Sequence, residues 1–128
     1  ITEMRRSKEE LTRGEEEVMR HIWNLKEATV NDIIAQMAEP KPKYTTVATF
    51  IKLLENKKYV DHFQVGKSFV YIPAIKREKY AKTVLNGVID NYFGGSISKL
   101  IAYYAENEVV SQEELNAICE TIDELKNK

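Results

Sequence analysis

Residues 43–56 read KYTTVATFIKLLEN, and the fold of this stretch decides how the rest of the chain is organised. Wound as a helix, it places Val47, Phe50, Ile51 and Leu54 at i, i+3, i+4 and i+7, one apolar stripe that needs a core to cover it. The opposite side carries Thr45, Thr49, Lys52 and Asn56, with Thr46 on one flank. A helix held down by one face while the other offers small hydroxyls and a cation suits a DNA major groove, where bulky acids are repelled by phosphate. The stretch is read as a recognition helix, and its neighbours must supply the frame that presents it.

Upstream, Pro40 and Pro42 each lack an amide and push the preceding residue out of the helical region. The segment from Glu39 to Lys43 is therefore a linker, with Tyr44 or Thr45 expected at the cap of the helix that follows. Before it, Thr29 and Asp32 have capping-box spacing and open a short helix whose Val30, Ile33, Ile34 and Met37 face inward. Thr12 and Glu15 repeat that spacing at the start of a first helix, with Val18, Ile22 and Leu25 as its buried face and Met19 and Trp23 beside them. Residues 1–10 have no apolar periodicity and read as a solvated arm. Two short helices joined by a tight break, with a polar outer face on the reading helix, make a helix-turn-helix pattern.

Downstream of Lys58 the period changes from 3.6 to about two. Tyr59 to Val65 and Ser68 to Ile72 are rich in β-branched and aromatic residues and flank Gly66-Lys67, whose leading glycine suits a two-residue type II′ turn. This predicts a hairpin with Lys67 at its tip, ended by Pro73. Three helices and a hairpin are the winged-helix order, so residues 1–75 are expected to form a winged-helix DNA-binding domain.

Residues 76–128 read as a helical dimerisation domain. A helix from Lys76 carries Tyr80, Val84, Leu85, Val88, Ile89 and Tyr92 and stops at Gly94-Gly95. Ser96 can cap a second with Ile97, Leu100, Ile101 and Tyr104 inward. Ser111 and Glu114 form a further capping box before Leu115, Ile118, Ile122 and Leu125, spaced like the seam of a helical pair. So little chain with stripes this wide is better explained as half of a dimer than as an independent core. The fold class expected is mainly α with a small β-hairpin wing.

Composition narrows the function. At 128 residues, 43% hydrophobic and 30% charged, the chain is an ordinary globular protein. No apolar run approaches the length of a membrane span and the first residues lack the apolar segment of a signal peptide, so a cytoplasmic protein without membrane insertion is expected. The net charge of −1 is unevenly spread: residues 41–67 hold six cations against two acids, on the stretch read as the DNA face. Cys119 is the single cysteine and His21 and His62 the only histidines. That excludes an internal disulfide, offers no metal-ligand spacing, and leaves Cys119 expected as a small buried hydrophobe. No cofactor is expected. The run Glu15-Glu16-Glu17 reads as a solvated helix face, and with no paired acid, phosphate loop or placed nucleophile the chain is not read as an enzyme.

The residues also carry a family resemblance. Leu11-Thr12, Glu15, Val18-Met19 and Ile22-Trp23 in the first helix, Thr29-Val30 with Asp32-Ile33 in the second, Tyr44-Thr45-Thr46-Val47 with Thr49 and Leu54 in the third, and Gly66-Lys67, Tyr71 and Pro73 in the wing resemble the penicillinase repressor family, the BlaI/MecI/CopY type of bacterial winged-helix repressors. The match runs over residues 11–128. The resemblance implies a homodimer, paired through its C-terminal helices, that binds a palindromic operator and represses resistance or homeostasis genes. In the antibiotic-responsive branch it implies a membrane sensor protease as a partner, with cleavage at an Asn-Phe bond; here the corresponding pair is Tyr103-Tyr104. In the copper-responsive branch it implies paired cysteines, where this chain has Cys119 alone. Lys58 stands where a glycine is common at the exit of the recognition helix, and Leu53-Leu54 where many members have an arginine before the final leucine.

On this reading Thr45, Thr46 and Thr49 contact base edges or phosphates, Lys52 reaches a guanine or phosphate, and Lys41, Lys43 and Lys67 hold the backbone, with Tyr44 at the start of the helix. The alternative is a winged-helix protein-interaction module in which the same outward face meets another protein without specific DNA binding.

Overall fold

The computed structural model describes residues 10–107 and 109–128; the expected arm lies, but for Glu10, outside them. The order is α1 (Arg13–Leu25), α2 (Val30–Gln36), α3 (Tyr44–Asn56), β1 (Val60–Val65), β2 (Ser68–Pro73), α4 (Arg77–Tyr92), α5 (Ile97–Asn107) and α6 (Gln112–Lys126). This is the expected class, mainly helical with one antiparallel hairpin. The chain forms two compact units that divide inside α4, the first ending at Asn86 and the second starting at Gly87.

In the first unit both early helices open on complete capping boxes. Thr12 and Thr29 accept from the amides of Glu15 and Asp32, whose carboxylates accept from the amides of Thr12 and Thr29. Each box satisfies two amides that a helix start would otherwise leave unpaired. Val18, Met19 and Ile22 of α1, Val30 and Ile33 of α2, and Val47, Ile51 and Leu54 of α3 are buried in one core with Leu11 and Val60. Phe50 lies at its edge, half-buried, and α1 approaches α3 closely there: a Cβ on Gly14 would stand 2.4 Å from the Phe50 ring.

The hairpin pairs Val65 with Ser68 around a two-residue turn, continuing to Val60 opposite Pro73. Gly66 takes φ +61°, the left-handed value a leading turn glycine supplies without strain. A bridge the sequence did not announce joins Ala28, between α1 and α2, to Tyr71 of β2: each amide donates to the other's carbonyl, at 3.0 and 2.8 Å. It ties the wing to the helical core.

The start of α4 also belongs to this unit. The Tyr80 hydroxyl accepts from the Leu11 amide at 2.9 Å and donates to the Glu16 carboxylate at 3.3 Å, while its ring packs against Trp23 and Tyr59. The Trp23 indole N–H donates to the Ile75 carbonyl at 2.9 Å.

In the second unit Gly94 and Gly95 both hold left-handed φ, +58° and +77°. Ser96 caps α5 by accepting from the Lys99 amide. Ser111 caps α6 by accepting from the Glu114 amide, but only this half of the expected box forms. No residue of α5 or α6 is buried. Of the stripes expected inward, Leu100 and Ile118 are half-buried and Ile97, Ile101, Tyr104, Leu115, Ile122 and Leu125 are exposed, because no other part of the described chain covers them. In α4, Leu85 and Tyr92 are exposed and Val88 half-buried. Among the described residues no helix is long and apolar enough to cross a membrane.

Candidate nucleic-acid interface

Burying Val47, Ile51 and Leu54 turns the other side of α3 outward, and Tyr44, Thr45, Thr46, Thr49 and Lys52 are all exposed. The cap differs from the expectation. Lys43, not Tyr44 or Thr45, is the N-cap, and it makes no side-chain capping bond. Extended after Pro42, Lys43 gives its carbonyl to the amides of Thr46 and Val47, so the helix begins before a hydroxyl could cap it. The Thr45 and Thr46 hydroxyls are thus not spent on the helix end. Thr49 is used differently: its hydroxyl donates to the Thr45 carbonyl at 2.8 Å, which fixes its rotamer and leaves a methyl and an acceptor oxygen to face a partner.

The cations divide by task. Lys43 and Lys67 are exposed, Lys67 at the hairpin tip. Lys41, also exposed, is folded back onto the end of α2, its ammonium donating to the carbonyls of Ala35 and Met37. It closes the carboxyl end of that helix, where the macrodipole favours a cation, and holds the linker that delivers α3.

The acidic run Glu15-Glu16-Glu17 is the solvated face expected only in part: Glu17 is exposed and Glu16 half-buried, but Glu15 is not solvated. Glu15 is 1% exposed; beyond its capping box it takes a 2.7 Å hydrogen bond from Lys57 Nζ, at the carboxyl end of α3. Burial is the largest influence on this carboxyl and raises its pKa, but the Lys57 and Thr12 hydrogen bonds and the Lys57 charge together outweigh it and hold the group below its ordinary value. The reading helix is thus fixed by an ion pair at one end and by Lys43 and the proline linker at the other. Lys58, which follows, takes φ +70°. Its amide bonds the Glu55 carbonyl and the Tyr59 amide bonds the Leu54 carbonyl, a Schellman termination that favours glycine at this position.

Between the start of α2, the start of α3 and the wing tip lies a cleft of about 170 Å³ lined by Thr29, Asn31, Tyr44, Lys67, Ser68, Phe69 and Tyr71. Across the α3–wing junction, His62 of β1 is hydrogen-bonded to Glu55 of α3. Asn31, Ser68, Phe69, Glu55 and His62 carry no site signal of their own in the sequence pattern. Strand alternation could have found His62, since the hairpin register places it opposite Tyr71.

Elsewhere, Cys119 is exposed on α6 rather than buried, since that helix has no inward face within one chain. Among the described residues no group of His, Cys, Asp and Glu could hold a metal ion. Tyr103 and Tyr104 lie within α5, both exposed.

Three helices with an outward polar reading face and a hairpin wing carrying a tip cation define a winged-helix DNA-binding repressor. The penicillinase repressor family model matches residues 11–124. The chain belongs to that family. It is 26% identical over 122 residues to the penicillinase repressor of Bacillus licheniformis, covering 93% of this chain and 94% of that one. It is 30% identical over 121 residues to the methicillin resistance regulatory protein MecI of Staphylococcus aureus strain N315, covering 92% and 91%. Among solved structures it resembles the DNA-binding domain of the repressor BlaI, with TM-score 0.50 and 26% identity over 59% of this chain and 94% of that one. The relatives are repressors, not enzymes.

Proposed function

We propose that the protein acts in the cytoplasm as a homodimer on a palindromic operator of an antibiotic-resistance or stress operon. The observation that carries this is the outward row Thr45, Thr46, Thr49 and Lys52 on a helix anchored at both ends. Thr45 and Thr46 read base edges, their methyls meeting thymine methyls, while Lys52 reaches a guanine or phosphate and Lys43 and Lys67 hold the backbone. Lys41 acts by positioning the linker. Dimerisation covers the apolar faces that α5 and α6 leave exposed and sets two heads about one helical turn, roughly 34–36 Å, apart. Tyr103-Tyr104 departs from the Asn-Phe pair that the resemblance implies, which argues against release through cleavage by a membrane sensor protease.

The test is a duplex selected by the wild-type protein from a random pool, with binding followed against excess unrelated DNA and over a salt series. Retention of the selected duplex is expected, and Lys67→Ala should weaken both specific and unrelated DNA while reducing the log-log salt slope by about 0.9. Binding abolished by unrelated DNA removes the specific-repressor reading in favour of a protein-interaction module. An unchanged affinity and slope in Lys67→Ala removes the wing contact.

A further inference from the structure

His62 and Glu55 occupy the junction between the two elements assigned to DNA. Glu55 is the single acid of α3, and a carboxylate on a DNA-facing helix opposes phosphate. Nδ1 of His62 bonds a Glu55 carboxylate oxygen, and the imidazole packs edge-on to Phe69, centroids 5.1 Å apart, and against Tyr71 at 5.8 Å. Tyr71 is in turn bridged to Ala28, so the ring sits where the wing is tied both to α3 and to the helical core. Among the described residues, the titratable groups in contact with it are Glu55 from α3 and Tyr71 from β2. Burial first, then the Glu55 and Tyr44 charges, push the Tyr71 hydroxyl above its ordinary value, so it stays neutral while a histidine titrates. Asp61, the next residue on β1, alternates to the opposite face of the hairpin.

We infer that His62 and Glu55 are positioning residues for DNA binding: protonated His62 locks the wing against α3 and cancels the one negative charge of that helix, so the protein holds DNA more tightly at lower pH. Neutral His62 keeps a hydrogen bond but neither the ion pair nor the charge cancellation. The inference rests on the DNA-binding reading above.

The experiment is fluorescence anisotropy of the full chain with the duplex it selects from a random pool, at about pH 8 and about pH 6. Wild-type affinity should rise about two- to fivefold on acidification, the range of a half-exposed ion pair. His62→Gln, which can still hydrogen-bond but cannot titrate, should lose that step, and His21→Gln should keep it. Glu55→Gln should bind more tightly than wild type at pH 8 and show a smaller step. By linkage, adding the duplex to the wild type should move the His62 imidazole midpoint, followed by NMR, to higher pH. A His62→Gln profile parallel to wild type, or an imidazole midpoint unmoved by DNA, overturns the inference while leaving DNA binding intact. A wild type that binds no duplex at either pH removes the DNA reading and this inference together.

Discussion

Glu15 closes the α1 capping box and receives Lys57 from the far end of α3 while almost wholly buried. A buried carboxylate is tolerable only because each bond it accepts stabilises the charged form. Its pKa is held below the ordinary 4.5, so its contribution to stability is fully present above about that pH and drains away as pH falls through the native value. Glu15→Gln should therefore destabilise the protein by about 1–2 kcal/mol at neutral pH, with the difference shrinking toward zero in acid, where the wild type is protonated too. Urea titrations at several pH values check this; a difference independent of pH would mean that packing, not charge, is what Glu15 supplies. Lys58 makes the opposite case. Its φ of +70° strains any side chain, whereas glycine takes it freely, so Lys58→Gly should stabilise the protein by about 0.5–1 kcal/mol and raise the melting temperature by a few degrees.

At the scale of elements, most local signals are legible in the sequence, although the α3 cap falls on Lys43 and the Ser111 box forms only by half. The α1 and α2 boxes, the proline linker and the Gly66-Lys67 turn each announce themselves within four residues, because caps and turns satisfy their own backbone groups from nearby side chains. The outward face of α3 followed from the apolar period alone. What escaped depends on residues brought together from afar: the Ala28–Tyr71 bridge, the Glu15–Lys57 pair and the His62–Glu55 bond. Local pattern can place Glu15 at a cap and His62 on a strand face, but it does not name the distant partners Lys57 and Glu55, and without Lys57 the burial of Glu15 has no sign in the sequence. The contact of α1 with α3 is another such case. Helix propensity alone favours Gly14→Ala by about 1 kcal/mol, but the new Cβ would meet the Phe50 ring at 2.4–3.0 Å. Gly14→Ala should therefore destabilise by about 1–2 kcal/mol in the wild-type background and become neutral or stabilising in Phe50→Ala. Chemical denaturation of the four proteins of this cycle measures it. Equal effects in both backgrounds would show that the ring swings aside at no cost.

For the whole molecule, the question is what covers the second unit. Ile97, Tyr104 and Leu125 are each about 60% exposed and Leu115 and Ile122 about 40%, on helices whose apolar residues keep the spacing of a helical seam. On the homodimer proposal a second copy covers these faces, and it would also serve the first unit, since two linked heads on one duplex gain about 10²–10⁴ in affinity over one. Ile122→Glu places a charge in that seam without touching the head. It should turn a micromolar dimer into a monomer by sedimentation and weaken binding to the selected duplex at least tenfold. The head should stay folded, which Trp23 reports cleanly because it is the single tryptophan and lies in the first unit. Wild-type melting should move with protein concentration, as expected when folding and association are linked, and the variant's should not. A wild type that sediments as a monomer at micromolar concentration, or a variant that remains dimeric with unchanged affinity, would take the seam out of the mechanism and leave one reading helix to account for all of the binding.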